Sequence, residues 1–70
     1  MKREILIKFG QKVRDRRFEL GLSQEELATK AGVHRTYVGM IERAEKNITL
    51  VNIEKIAKAL GLSLDEITKL

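Results

Sequence analysis

Seventy residues with a net charge of +4 and 34% charged side chains describe one small soluble domain, residues 1–70, near the lower size limit for a self-sufficient core. No apolar run approaches the roughly 18–20 residues of a membrane span, and no signal-peptide pattern opens the chain. With five glycines, no proline and no cysteine, the composition implies an all-α, cytoplasmic protein without disulfides or thiolate metal sites.

The first helix is expected from Arg3 to Leu20, because Ile5, Phe9, Val13 and Leu20 recur at helical spacing and Gly21 follows as a stop. Residues 1–20 also hold seven basic side chains (Lys2, Arg3, Lys8, Lys12, Arg14, Arg16 and Arg17) against three acidic ones, which accounts for the whole +4. Such a surface attracts phosphates and releases counterions when it meets them, although a basic helix face can equally be merely solvated.

Ser23 and Glu26 form a capping box that starts a second helix at Gln24. Leu27 and Ala31 share one face, and Ala28 is small enough to admit a neighbouring helix. Gly32 ends this helix, Val33 anchors the turn, and a third helix follows with Val38 and Ile41 facing inward. Two short helices joined through a glycine turn make a helix-turn-helix over residues 24–43. In that arrangement the first turns of the second helix reach base edges in the DNA major groove.

The outer face of the third helix is left with Arg35, Thr36, Gly39, Arg43 and, at its edge, Tyr37. Arginine can bond guanine bidentately, and threonine can bond a base edge or meet the methyl of thymine. Gly39 is expected on the exposed face, where it would let the backbone approach DNA. Tyr37 would either stack on the sugar–phosphate backbone or pack over the turn. Arg43 and Lys46 suit phosphate clamps that set register without reading sequence.

Residues 43–48 are polar and read as a loop with Asn47 as a turn residue. Thr49 caps a fourth helix in which Leu50, Ile53, Ile56, Ala57 and Leu60 keep helical spacing up to Gly61. Ser63 and Glu66 form a second capping box for a short last helix carrying Leu64, Ile67 and Leu70. These last two helices hold more apolar side chains than so small a core can bury. Val51, Leu64, Ile67 and Leu70 are therefore expected to form a twofold interface between two copies.

Catalytic chemistry finds little support. One histidine without cysteine supplies neither the common nucleophile–base pairs nor a zinc site. Asp65 and Glu66 are adjacent at a helix start, where carboxylates complement the dipole and neighbouring side chains point apart. The residues imply no enzyme, cofactor, metal or small-molecule ligand.

The phrases LSQEELATKAG, YVGMIER and IEKIAKALGLSLDEI resemble the Cro/C1-type helix-turn-helix family of bacterial and phage transcription regulators. HRTYVGMIER followed by KNITLVNIEKI is most similar to the controller proteins of restriction–modification systems. The resemblance covers about residues 9–67. It implies a compact five-helix, lambda-repressor-like domain that binds double-stranded operator DNA as a homodimer. It further implies that Gln24 meets the DNA backbone and braces the third helix. Arg35 and Thr36 match base-reading positions, Tyr37 and Arg43 flank them, and Lys46 and Asn47 match a phosphate-touching loop. Arg17 and Glu42 match a largely buried ion pair. Two positions depart from the family: His34 stands where Ser, Thr or Asp usually caps the third helix, and Ala44-Glu45 where glycine often follows the arginine. The other class compatible with these residues is a protein-interaction module of the same fold, an antitoxin or a coactivator-like adaptor.

Overall fold

The computed structural model describes residues 3–70, so Lys2 lies outside the described residues. It comprises five helices, α1 (Glu4–Glu19), α2 (Gln24–Ala31), α3 (Arg35–Glu42), α4 (Leu50–Ala59) and α5 (Leu64–Ile67), and no strand among the described residues. None of these helices is long and apolar enough to cross a membrane.

The starts of α2, α3, α4 and α5 are each set by a side chain close in sequence, whereas α1 begins at Arg3 without a side-chain cap. The Ser23 hydroxyl accepts from the Glu26 N–H at 3.0 Å while the Glu26 carboxylate accepts from the Ser23 N–H at 2.9 Å. Ser63 and Glu66 repeat this at α5, and the Thr49 hydroxyl accepts from the Asn52 N–H at 3.2 Å at α4. At α3 the His34 imidazole stands in for the usual hydroxyl, its Nδ1 accepting from the Thr36 N–H at 3.1 Å. The departure at His34 therefore leaves the cap in place with a different acceptor.

The first four helices end alike. A backbone N–H just past the helix bonds back five residues, as from Leu22 to Arg17, Val33 to Ala28, Glu45 to Met40 and Leu62 to Ala57. This closure needs a left-handed residue. Gly21, Gly32 and Gly61 supply it elsewhere, but after α3 it is Ala44, at φ 60°. The turn at Ala44 thus has the geometry a glycine would give it, held at a steric cost that glycine avoids.

The core consists of Phe9 and Val13 from α1, Leu27, Ala28 and Ala31 from α2, Val38 and Ile41 from α3, Ile56 and Ala57 from α4, with Leu60 and Ile67. Several expectations change here. Ile5 and Leu20 are 56% and 42% exposed, because only the middle of α1 is roofed by other helices. Leu50 is 73% exposed, since the first turn of α4 projects past the core that Ile56 and Ala57 enter. Ile67, expected on a surface between copies, is fully buried: α5 is a single turn, and Ile67 is the residue by which it docks.

Gly10 sets how closely α1 meets α3. A Cβ there would collide with the Ile41 carbonyl oxygen and stand 2.9 Å from that of Glu42. Only glycine lets the two backbones touch.

Candidate nucleic-acid interface

α2 and α3 join through Gly32, Val33 and His34, and the start of α3 is turned to solvent. Arg35 and Thr36 are both exposed there. The Arg35 guanidinium Nη1 lies 3.5 Å from the Glu25 carboxylate at the start of α2, and both side chains are about two-thirds exposed or more (68% and 71%).

Behind this face, a buried polar knot fixes α3 to α1 and α2. Arg17 Nε and Nη2 donate to the two carboxylate oxygens of Glu42 at 2.7 and 3.0 Å, a bidentate pair. Arg17 Nη1 donates to the Leu22 carbonyl at 2.9 Å, Gln24 Nε2 donates to Glu42 Oε1 at 3.1 Å, and Arg14 Nε lies 3.5 Å from that same oxygen. The Glu42 side chain has no solvent exposure and that of Arg17 only 9%. Burial alone would push the Glu42 carboxyl upward. The hydrogen bonds from Arg17 and Gln24, with the charges of Arg17 and Arg14, outweigh it and hold the carboxyl below its ordinary range.

Gln24 links this knot to the outer surface, because its amide oxygen and the Arg43 guanidinium both lie against Gly39. A Cβ at Gly39 would stand 3.0 Å from Arg43 Nη1 and 3.6 Å from Gln24 Oε1. Gly39 is therefore buried rather than on the open face expected for it. Its missing side chain makes room for Arg43 to fold back along α3. Arg43 Nε in turn lies 3.1 Å from the Glu45 carboxylate.

Tyr37 is half-buried against the core, and its hydroxyl accepts from the Asn52 side-chain amide of α4 at 3.0 Å. Its ring thus packs against the core while its hydroxyl reaches α4. Asn52 was not among the sequence candidates. Its one signal was a polar residue in the first turn of an amphipathic helix, which does not reveal a partner fifteen positions away. Lys46 and Asn47 are exposed in the loop before α4. Asn47 borders a groove lined by Ile5, Leu6 and Phe9 of α1, which sets it apart from the Gln24–Arg43 cluster.

Several basic side chains of α1 are tied to other parts of the fold. Besides Arg17 and Arg14 at the knot, Arg16 Nε donates to the Leu60 carbonyl at 3.0 Å, where it closes the end of α4. Lys12 Nζ donates to the Lys69 carbonyl at 3.2 Å. Four of the seven basic residues in that segment thus make contacts to other parts of the fold, and two of them, Arg17 and Arg14, face the Glu42 carboxylate.

Of the residues expected between two copies, Val51 and Leu64 are exposed and border one shallow depression with Leu50 and Glu54. Leu70 is also exposed, but it lines the separate groove beside α1.

Comparison with known proteins agrees with this geometry. Residues 13–67 match a family described as helix-turn-helix. The control protein C.BamHI of Bacillus amyloliquefaciens is 51% identical over 63 residues, covering 89% of this chain and 78% of that protein. C.MunI of a Mycoplasma species is 43% identical over 65 residues, covering 91% and 88%. The crystal structure of the restriction–modification controller protein C.AhdI from Aeromonas hydrophila superposes with a TM-score of 0.86 at 50% identity, covering 89% of this chain and 94% of that one. The C.Esp1396I controller, solved as a tetramer with its natural 35-base-pair operator, superposes at 0.87 with 34% identity, covering 96% and 92%.

Proposed function

The chain belongs to the Cro/C1-type helix-turn-helix family, and from that premise we propose that it is a cytoplasmic, non-catalytic transcription regulator of the controller type. In this reading it binds a pseudo-palindromic operator in double-stranded DNA as a homodimer, with residues 1–70 acting as one domain. The observation that carries the proposal is the start of α3. Arg35 and Thr36 are exposed to solvent while the far end of that helix is anchored through Glu42 to Arg17 and Gln24. Rigid support behind exposed donors is what base reading requires.

Size supports the dimer. The described chain measures 29 × 25 × 22 Å, whereas reading helices one duplex turn apart are separated by about 34 Å. Two copies are needed to fill successive major grooves. The exposed Leu50, Val51 and Leu64 supply an apolar surface on which they can meet.

Arg35 and Thr36 read bases, Tyr37 supports that end of α3 through Asn52, and Gln24, Arg43, Lys46 and Asn47 contact the backbone. Binding-site selection from random duplexes tests this. Wild type should enrich a palindromic motif, and Arg35→Ala should relax one base pair in each half-site at a cost of about 1–3 kcal/mol. Arg43→Ala or Lys46→Ala should weaken all sequences alike and flatten the salt dependence by about one unit of slope. A wild-type protein that enriches no motif would leave a protein-binding adaptor as the function.

A further inference from the structure

Each end of α3 carries an arginine, and each arginine stands beside a carboxylate: Arg35 with Glu25 and Arg43 with Glu45. The two pairs differ in place. Arg43 folds back along its helix, whereas Arg35 projects from the turn that reads bases. Glu25 is also the uncommitted acid of its turn, since the Glu26 carboxylate beside it is held by the Ser23 N–H.

We propose that Glu25 is a specificity-determining residue, which neutralises Arg35 against phosphate while leaving its hydrogen-bond donors free for a base. The inference rests on the operator-binding reading above. At 3.5 Å, and with both side chains more than two-thirds exposed, the pair is a charge contact at the outer limit of a hydrogen bond. It offsets the charge of the guanidinium without consuming its five N–H donors. Guanine presents neutral acceptors, O6 and N7, that reward donor geometry, whereas phosphate rewards charge. A neutralised but unsaturated arginine therefore keeps its value on guanine and loses much of it on the backbone. Glu25 itself adds repulsion wherever Arg35 is brought against phosphate. Both effects lower binding to irrelevant DNA more than binding to the operator, and a regulator competing with a genome of irrelevant sites depends on that ratio.

The test compares the full-length wild type with Glu25→Gln and Glu45→Gln, two variants with the same change of charge. Each is titrated against the selected operator and a scrambled duplex of equal length across a salt series. Glu25→Gln should tighten binding to the scrambled duplex by about two- to fivefold, the range that an exposed ion pair is worth. The salt slope on that duplex should steepen by about one unit, as for one added phosphate contact. Operator affinity should change less than twofold, so the discrimination ratio falls. Glu45→Gln should tighten both duplexes equally and leave the ratio intact.

A Glu25→Gln protein that weakens on the operator and is unchanged on the scrambled duplex would overturn the proposal, since Glu25 would then only orient Arg35. Parallel behaviour of the two variants would overturn it as well, reducing the effect to net charge. Wild type that fails to separate the two duplexes brings down the operator reading itself. Wild type that separates them beside an unaltered ratio in Glu25→Gln removes only the role of Glu25.

Discussion

Truncating Glu42 to alanine removes the acceptor on which the buried knot depends. The carboxylate is fully covered and takes two bonds from Arg17 and one from Gln24, so its loss leaves the Arg17 guanidinium facing the interior with the Leu22 carbonyl as its one remaining acceptor. Stranding a buried charge in this way costs about 3–5 kcal/mol. A domain of this size is stable by only about 3.5–10 kcal/mol, at roughly 0.05–0.15 kcal/mol per residue, so Glu42→Ala should lose about 30% or more of the total. Urea denaturation at pH 7 reads this as a fall in the midpoint with little change in slope. The double variant Arg17→Met/Glu42→Leu removes both charges and fills the space, and it should recover most of the loss. The same pair sets an acid response. The folded-state pKa of Glu42 lies below its ordinary 4.5, so the stability it contributes is present above that value and disappears as pH falls through the folded-state value. Glu26 and Glu66, depressed by their bonds with Ser23 and Ser63, act with the same sign. Wild type should therefore lose stability below pH 4.5, and Glu42→Ala should lose less over that interval, keeping the slope due to the two capping boxes. A Glu42→Ala midpoint within error of wild type, or a double variant as unstable as the single one, would refute the reasoning.

Gly10→Ala should destabilise by about 1–3 kcal/mol despite the better helix propensity of alanine, because the methyl meets the backbone carbonyls of Ile41 and Glu42; a more stable variant in thermal melts would show that α1 can move aside. At Ala44, glycine should be tolerated within about 1 kcal/mol, since relief of the left-handed strain offsets the lost methyl and the freer unfolded chain. Valine there should cost about 2 kcal/mol or more, because a β-branched residue resists positive φ, and a valine variant as stable as wild type would contradict the turn. Val51→Lys should shift sedimentation toward monomer and weaken operator binding while leaving the melting of the monomer nearly unchanged, Val51 being 62% exposed; an unaltered dimer would move the interface elsewhere.

The helix boundaries and their order were legible in the sequence because each depends on residues no more than five positions apart. Ser23 with Glu26, Thr49, Ser63 with Glu66, and the glycines at 21, 32 and 61 act within one turn. The helix-turn-helix and the exposed Arg35–Thr36 end of α3 followed from the same local signals. The Arg17–Glu42 pair was accessible through family resemblance alone, since nothing near either residue in the chain points to the other. Tertiary structure decided what depends on distant contacts. Periodicity identifies the apolar face of a helix but not how far along it the neighbouring helices reach, so Ile5, Leu20 and Leu50 lie outside the core and Ile67 inside it. Likewise, charge can be counted along a chain, but its partners cannot. The fold brings Arg16 of α1 to the Leu60 carbonyl at the end of α4, and bringing α2 beside α3 set Glu25 next to Arg35. Packing also determined that Gln24 lies against Gly39 and that Tyr37 is held by Asn52, because each contact exists only once separate helices are brought together.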